Sequence, residues 1–544
     1  MQVRRLAAWT ALPLAATLGL AACGSGGDSG ESDPNATVSI QIAEPQHLIS
    51  TNTNDSSGNQ VLSALFAPLV DYDEQNKPYE VAAESVNSTD NLTWTIKLKD
   101  GYTFHNGEKV TADSYINAWN YGAYGPNGQG NSYFFEKIAG YDDLQSEDPD
   151  GDGPEKAAEP KAKTLTGLKK VDDTTFTVTL AKPYTEFKTV LGYTAFYPLP
   201  EAAFSAPGVI KEGYEDAPIG NGPFKMKGTW QHDAKVEVER YDAYPGEKPK
   251  IAGAEFRIYQ QLTAAYADVL SDNLDVDVTV PTESLSTAAT DLGDRFQQSQ
   301  NSSFQFVAFP TFEEEFSKPE VRKAISMAID RDEIAKSIFK ESQISARSFV
   351  SPVVAGYQDD TCGEACEFDP AKAKAAYQAA GGPSELKITY NGDGGHKDWV
   401  DATCNQLKAN LGVECVGAAE PKFSDLLTKV EGKQPVGLIR MGWLMDYPSM
   451  ENYLGPLYTT NGSSNYYGYS NPEFDRLVQE GTTAATPDEA IKKYQQAEQI
   501  LAQDMPVIPL RFGQNVYAHS TRVKNVEVDL FQVVDMTKIE VVSS

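Results

Sequence analysis

The chain has 544 residues and a formal net charge of −31, from 46 Lys and Arg against 77 Asp and Glu. Hydrophobic residues make up 40% of it, which is enough apolar material for a large folded core. Such an acidic surface repels nucleic-acid phosphates and anionic lipid headgroups, so we expect no nucleic-acid partner. Length alone favours two to four domains, because single cores rarely grow beyond roughly 250–300 residues.

Residues 1–22 have the features of a signal peptide. Arg4 and Arg5 give a positive start, and the apolar stretch from Ala7 to Leu20 is too short to span a membrane comfortably. The stretch ends in Leu-Ala-Ala-Cys, which resembles the lipobox of bacterial lipoproteins. In that motif, cleavage leaves the cysteine at the new N-terminus with lipid attached, so Cys23 is the predicted lipidation site. The alternative is an ordinary A-x-A-type cleavage in which Cys23 has no role.

Residues 23–35 are predicted to be a flexible tether, because they are rich in Gly, Ser and Asp and offer nothing to bury. No later apolar run approaches the roughly 20 residues that a transmembrane helix needs. We therefore expect the mature protein to be anchored by lipid on the extracytoplasmic face of the cell membrane, and to be a monomer.

In two segments of the first half, polar and apolar residues alternate, as they do in half-buried strands. They are Thr93 to Leu98 (TWTIKL) and Thr175 to Leu180 (TFTVTL), and each follows a turn-rich stretch of Asp and Asn. Alternation with period two places every second side chain on one face of a sheet. Both segments are therefore predicted to be strands.

An acidic loop between these strands has the spacing of a calcium-binding loop. Asp148, Asp150, Asp152 and Glu159 occupy positions 1, 3, 5 and 12, and Gly153 occupies position 6. The residues that follow the glycine form a poor helix, and a surface turn rich in Asp and Gly is the alternative interpretation. We expect no required cofactor, and at most a structural calcium ion at this loop.

The second half of the chain predicts helices packed on strands. Apolar residues recur at helical spacing from Val321 to Ile329, and Ser317 and Pro319 are placed to start that helix. Residues 386–390, a helix that ends at Leu411 and a strand at 413–416 then predict a β-α-β unit. The pattern is that of an α/β fold.

Four cysteines remain after Cys23, and disulfides are the default on the exported side of a membrane. Proximity in sequence favours the pairs Cys362–Cys366 and Cys404–Cys415, and the second pair would link the predicted helix to the strand that follows it. A zinc site is the alternative, but no histidine lies at a familiar finger spacing.

A search for catalytic motifs finds none. There is no G-x-S-x-G elbow, no phosphate-binding G-x-x-x-x-G-K-[ST] loop, no G-x-G-x-x-G after a strand and no paired-histidine metal motif. A carboxylate pair for glycoside hydrolysis could occur by chance among 77 acidic residues, so a hydrolase stays an alternative. We expect a protein that is not an enzyme.

Several segments follow one another along the chain in an order that is informative. They are Glu44-Pro45-Gln46, VLSALFAPLVDY at 61–72, WTIKLKDGYTFHNGEKV at 94–110, PIGNGPF at 218–224, KPEVRKAISMAIDRDEI at 318–334, GWLMDYPSMENYL at 442–454 and DMPVIPL at 504–510. In this order they resemble the extracytoplasmic solute-binding proteins of ABC importers, in family 5, which binds oligopeptides, dipeptides and related solutes. The resemblance runs from about residue 36 to 544.

This resemblance implies a two-lobed α/β fold of the periplasmic-binding-protein type, with an extra subdomain inserted in lobe I and a cleft that closes about hinges. Lobe I would comprise residues 36–75, 218–300 and 510–544, the inserted subdomain residues 76–217, and lobe II residues 301–509. Chain crossings between the lobes would act as hinges, and ligand would stabilise the closed form.

The resemblance also implies a ligand site around Asp446. In peptide-binding members the aspartate at this position pairs with the ligand's α-ammonium, and an arginine six residues earlier, here Arg440, holds the terminal carboxylate. Trp443 would add an apolar wall, with Tyr447 beside it, and Glu44 is a further candidate from the first strand. The alternatives are a structural salt bridge for Asp446 and a core position for Trp443.

The function implied by the resemblance is capture of oligopeptides for delivery to the permease subunits of an ABC importer. The same fold could instead bind an oligosaccharide or a metal chelate, because fold does not determine the ligand. A receptor for a peptide signal is the third possibility. Asp446 with Arg440 favours a peptide, while the 27 tyrosines keep a sugar ligand open.

Overall fold

The computed structural model describes residues 32–146 and 159–542. Its strands, in chain order, are β1 Thr37–Ile42, β2 Val70–Tyr72, β3 Pro78–Glu80, β4 Ala83–Asn87, β5 Thr93–Leu98, β6 Leu168–Asp172, β7 Thr175–Thr179, β8 Phe204–Ala206, β9 Val209–Ile210, β10 Phe224–Met226, β11 Lys235–Arg240, β12 Gly253–Ile258, β13 Val276–Asp277, β14 Phe296–Ala308, β15 Ile344–Ser345, β16 Glu385–Asn391, β17 Glu414–Glu420, β18 Leu438–Trp443, β19 Val507–His519, β20 Val523–Lys524 and β21 Glu540–Val541.

Helices cover the faces of the strands. They are α1 Ser56–Leu65, α2 Ala112–Ala123, α3 Phe187–Val190, α4 Leu262–Leu270, α5 Leu285–Leu292, α6 Pro319–Met327, α7 Arg331–Ser337, α8 Pro370–Ala380, α9 Lys397–Leu411, α10 Phe423–Glu431, α11 Glu451–Tyr458, α12 Pro472–Thr482 and α13 Pro487–Asp504. Within residues 32–146 and 159–542, no helix is both long enough and apolar enough to cross a bilayer.

The α/β fold predicted from the sequence is confirmed, and it has two lobes joined by two long strands. One large sheet runs in the order β10-β11-β12-β1-β13-β19-β14-β18-β16-β17, with β15 also paired to β19. β14 and β19 are antiparallel, and their register shifts between Gln300 and Phe304. On one side of that shift β19 pairs with β13, and on the other β14 pairs with β18, so both strands pass from one lobe to the other.

Separate cores support the two lobes. In the second lobe, Phe304 and Phe306 of β14 pack into one core while Val307 and Phe309 pack into another, as the period of a strand requires. A different core joins β1, α1 and the small sheet β4-β5-β7-β6 in the first lobe. The residue bounds predicted for lobe I, the inserted subdomain and lobe II stay predictions.

The segments with the clearest strand or helix periodicity form the strands and helices that were predicted for them. β5 buries Trp94, Ile96 and Leu98 in strict alternation and pairs antiparallel with β7. α6 begins at Pro319, but Ser317 does not cap it, because the Ser317 hydroxyl donates to the carbonyl of Glu314 over 2.7 Å.

Residues 32–35 of the predicted tether lie against the C-terminal end of the described chain. The backbone N–H of Asp33 donates to the carbonyl of Val541 over 2.9 Å, and Arg240 Nη1 donates to the carbonyl of Pro34 over 3.1 Å. Cys23, the predicted signal peptide and the rest of the tether lie outside the described residues.

Both predicted disulfides are present. Cys362–Cys366 closes a short turn, with Cα atoms 5.6 Å apart. Cys404 of α9 is bonded to Cys415 of β17, with Cα atoms 5.0 Å apart. β16, α9 and β17 form the predicted unit, with β16 and β17 parallel.

We expect replacement of both Cys404 and Cys415 by Ser to lower the free energy of unfolding of the second lobe by about 2–3 kcal/mol, because the bridge restricts the unfolded chain. The matched control replaces Cys362 and Cys366, which close a shorter loop and should cost less. Urea unfolding without reductant, followed by tryptophan fluorescence, measures both. An unchanged midpoint in the Cys404/Cys415 variant would contradict a stabilising role.

Candidate functional site

Asp446 lies in the loop between β18 and α11, and the side chain of Asn452 holds that loop. Asn452 Nδ2 donates to Asp446 Oδ2 over 3.0 Å, and Asn452 Oδ1 accepts from the Asp446 backbone N–H over 2.7 Å. The same oxygen accepts from Trp443 Nε1 over 3.2 Å. Because Asn452 is only 1% exposed, these bonds form where little water competes, and they restrict the loop to one conformation.

The carboxyl of Asp446 lies at the interface between the lobes. Burial raises its pKa to about 7, while the bond from Asn452 and a further hydrogen bond from Tyr193 lower it and the charge of Glu451 raises it. Tyr193 and Tyr133 come from the first lobe, and after burial the charge of Asp446 is the main factor that raises the pKa of each. No cation among the described residues acts on Asp446. The site therefore presents an unpaired carboxylate to a cationic group.

A second carboxylate, Glu451, joins the two lobes. It is 4% exposed, and its Oε2 accepts from Tyr184 Oη over 3.1 Å and from Tyr447 Oη. Lys137 Nζ lies 3.7 Å from Glu451 Oε1. Tyr184 and Lys137 belong to the first lobe and Tyr447 and Glu451 to the second, so this cluster stabilises contact between the lobes.

A cavity of about 380 Å³ opens between the lobes next to Asp446. The residues on its walls that matter here are Tyr133, Lys137, Tyr184, Tyr447, Glu451 and Asn452. Tyr133 and Asn452 also neighbour Asp446, so the cavity and the unpaired carboxylate adjoin. A backbone hydrogen bond joins the lobes at its edge, where the Thr185 N–H donates to the carbonyl of Thr482 over 3.1 Å. The lobes are thus in contact, as in a closed cleft.

Arg440 lies within β18, before Trp443 in the chain, and contacts groups other than those around Asp446. Its Nη1 donates to Asn391 Oδ1 over 3.2 Å and its Nη2 to Gln305 Oε1 over 3.0 Å. Strand residues rise about 3.3 Å each, so Arg440 and Trp443 are roughly 10 Å apart along the strand. Asp446 lies in the loop after β18, and the groups that act on it, Asn452, Glu451 and Tyr193, differ from the two amides that Arg440 contacts.

The other predicted site residues have distinct positions. Trp443 is half-buried, packs on the core of the second lobe and donates to Asn452, so it also positions the Asp446 loop. Tyr447 is buried and bonds Glu451 on the wall of the cavity. Glu44 is held within the first lobe by His232 Nδ1 over 3.0 Å and the Asp233 N–H over 3.0 Å. Its contacts do not join it to Asp446 or Arg440.

Asp148, Asp150 and Asp152 of the predicted calcium loop lie outside the described residues, while Glu159 lies inside them. Among the residues that the structure describes, no group of three or more His, Cys, Asp or Glu is arranged to hold a metal. Calcium binding at this loop stays a prediction.

Sequence reasoning missed Asn452, Glu451 and the tyrosines of the first lobe. Asn452 and Glu451 lie inside the segment 442–454 that resembles the family, but their roles depend on side chains turning back toward residues 443–447. The one local signal is the spacing of Tyr447 and Glu451, four residues apart. Tyr133 and Tyr193 are more than 250 residues away in sequence, and no local pattern links them to Asp446.

Comparison with known proteins is consistent with this geometry. Residues 77–465 match the family model of the bacterial extracellular solute-binding proteins, family 5, middle part. The oligopeptide-binding protein OppA of Bacillus subtilis is 27% identical over 538 residues, which cover 95% of this chain and 95% of that protein. The dipeptide-binding protein DppE of the same organism is 27% identical over 480 residues, covering 86% of this chain and 84% of that protein.

A solved structure has the same fold. The murein tripeptide-binding protein MppA of Escherichia coli superposes with a TM-score of 0.78 at 22% identity, covering 94% of this chain and 100% of that one. At this identity the likeness concerns the fold, and it agrees with the two-lobed arrangement described above.

Proposed function

The chain belongs to the bacterial extracellular solute-binding proteins of family 5, and from that premise we propose that it captures peptides in the cleft between its lobes as the lipid-anchored binding component of an ABC importer. Its role is binding and delivery to permease subunits in the membrane, without catalysis. Closure of the lobes around the peptide produces the shape that a permease would recognise.

The observation that carries this proposal is the unpaired carboxylate of Asp446 between the lobes. A peptide's α-ammonium supplies the missing cation, and the water-poor environment strengthens that pair. Arg440, in β18, supplies a guanidinium for the terminal carboxylate. Tyr193, which bonds Asp446, and Tyr133, whose pKa the charge of Asp446 raises, come from the other lobe.

Native mass spectrometry of the protein, purified from expressing cells without denaturation or added ligand, tests this proposal. We expect the protein to carry additional masses that denaturation releases as short peptides. The Asp446→Ala variant, purified in the same way, should retain much less. Release of a sugar, a metal chelate or another non-peptide solute in place of peptides would overturn the proposed function.

The lipid anchor is tested separately through Cys23. We expect Cys23→Ala to leave the precursor unprocessed or to release the protein into the medium, since the lipid would no longer be attached. Cell fractionation and immunoblotting measure the change, with Ser25→Ala in the tether as the matched control. Unchanged membrane retention with normal processing of Cys23→Ala would contradict lipidation at this residue.

A further inference from the structure

The two strands that join the lobes are irregularly paired at the point where they pass from one lobe to the other. The register of β14 against β19 shifts between Gln300 and Phe304, so residues 301–303 lie opposite Gly513. A Cβ on Gly513 would lie 2.5 Å from Asn301 Oδ1, so this close approach requires glycine. Extra residues in one strand interrupt the regular ladder of backbone hydrogen bonds and bend the strand. The backbone groups of this bulge, residues 301–303, can therefore bond segments other than β19.

Ser302 lies in the middle of the bulge and is fully buried. Its N–H and its hydroxyl both donate to the carbonyl of Leu530, over 3.1 Å and 3.0 Å. Its Oγ accepts from the backbone N–H of Met445 over 3.2 Å, and its carbonyl accepts from Tyr453 Oη over 2.6 Å. Each hydrogen-bonding group of Ser302 thus bonds a segment distant in sequence, as burial of a polar residue requires.

Leu530 lies in a turn that the first lobe holds in place. Val528 and Val534, on either side of the turn, are buried in the core of the first lobe. Gln60 Oε1 of α1 accepts from the Val534 N–H over 2.7 Å. Asp529 Oδ1 accepts from two backbone N–H groups inside the turn, each over 2.8 Å, and so fixes its shape. The carbonyl of Leu530 therefore keeps a fixed place relative to the first lobe.

Met445 is the residue before Asp446, so its hydrogen bond to Ser302 reaches the ligand site. Asn452 and Asp446 both belong to the second lobe, and their hydrogen bonds determine the shape of the loop between β18 and α11. The bond between Ser302 and Met445 instead determines where that loop lies relative to the bulge. Hydrogen bonds thus connect α1 of the first lobe, through the turn and Ser302, to the backbone beside Asp446.

We propose that Ser302 is a positioning residue for the ligand's ammonium group, because it fixes the Asp446 loop relative to the bulge and to the first lobe. The place of the Asp446 carboxylate then depends on the position of the lobes, so closure of the cleft and alignment of the carboxylate occur together. Ser302 is buried, and it acts through Asp446 without contacting the ligand. The inference rests on the proposed function, because it needs a ligand whose ammonium group binds this carboxylate.

Isothermal titration of Ser302→Ala with matched peptides tests this role. The peptides are alanine peptides of three, four and five residues with a free or an acetylated N-terminus, compared at the length that the wild type binds best. We expect Ser302→Ala to bind the free peptide about tenfold more weakly, because the buried Met445 N–H loses its partner and the loop is no longer fixed. The acetylated peptide has no ammonium group, so its affinity should fall about twofold or less. A merely structural weakening would lower both affinities by the same factor.

Two further variants separate this effect from a loss of folding. Ser348→Ala is the matched control, since Ser348 is also fully buried and its Oγ donates to the carbonyl of Gln358 over 2.6 Å and accepts from the Thr361 N–H over 3.3 Å. It should bind both peptides as the wild type does. Tyr453→Phe keeps the ring and removes the bond to the Ser302 carbonyl, so it should weaken the free peptide more than the acetylated one. If Ser302→Ala fails to fold, Tyr453→Phe decides the question.

The outcomes distinguish this inference from the function on which it rests. An unchanged affinity of Ser302→Ala for the free peptide, or equal losses for the free and acetylated peptides, would overturn the positioning role while leaving peptide binding intact. Where Tyr453→Phe decides, equal losses for the two peptides would overturn it in the same way. A wild type that binds none of the peptides, or that binds free and acetylated peptides equally, would instead count against the proposed function itself.

Discussion

Asp446→Ala is expected to weaken the binding of a peptide with a free N-terminus by about 2–5 kcal/mol, which corresponds to an affinity loss of roughly 30-fold to several thousandfold. The reason is that the variant leaves the peptide's ammonium buried between the lobes with no carboxylate beside it. Isothermal titration of wild type and variant with the same peptide measures the loss. Asp401→Ala, which removes an acid of α9 paired with Lys397, is the matched control and should bind normally.

Acetylation of the peptide N-terminus removes the same charge from the ligand. We therefore expect the two changes to be strongly non-additive, so that acetylation weakens binding to the wild type severely and binding to Asp446→Ala far less. The four combinations of protein and peptide form a double-mutant cycle. Losses that add fully, or wild-type affinity in the variant, would remove Asp446 from the site.

Peptide affinity is also expected to fall steeply as the pH is lowered from 7 to 5. In the free protein the pKa of Asp446 is raised to about 7 by burial, and the titratable groups that face it are Glu451, Tyr193 and Tyr133. In the complex the ammonium keeps the carboxylate ionised, so the free protein binds a proton below pH 7 that the complex does not. Binding then releases a proton, and affinity should drop on the order of 50-fold between pH 7 and pH 5.

Glu186 also has a raised pKa, so its titration must be separated from that of Asp446. Burial, followed by the charge of Glu451, raises the pKa of Glu186 to about 7. Asp446→Asn removes the titration of Asp446 and leaves that of Glu186, so its weaker binding should vary little over the same range. Titrations in buffers of different ionisation enthalpy count the released protons. A wild-type affinity that is flat from pH 5 to 7 would contradict an ammonium bound to Asp446.

The elements that sequence reasoning predicted well are those whose pattern is local. β5, β7 and the unit of β16, α9 and β17 show their period within a few residues, and the bridge Cys404–Cys415 follows from their order. Asp330 caps α7, since its side chain accepts from the Glu333 N–H over 3.0 Å. Each of these depends on residues that are close in sequence.

Two glycines are required for a reason that no local pattern shows. Gly220 and Gly222 lie in the segment 218–224 that resembles the family, and neither has a positive φ. A Cβ on Gly220 would lie 1.9 Å from the Leu65 carbonyl oxygen, and one on Gly222 would lie 2.6 Å from the Phe66 nitrogen. Close approach to the backbone after α1 requires glycine there, and this depends on contacts between segments distant in sequence.

The candidate site was predictable only in part for the same reason. Resemblance to the family indicated Asp446 and Arg440, but the groups that surround them come from distant segments: Tyr193 lies near Asp446, and Asn391 bonds Arg440. Lobe bounds, ligand residues and the calcium loop stay predictions.

A crystal structure of the protein with a bound peptide tests the central claim most directly. We expect the peptide to lie between the lobes with its α-ammonium nitrogen within about 3.2 Å of an Asp446 carboxylate oxygen, and with its C-terminal carboxylate toward Arg440. A peptide bound in the reverse direction, or bound outside the cleft with Asp446 still unpaired, would contradict it.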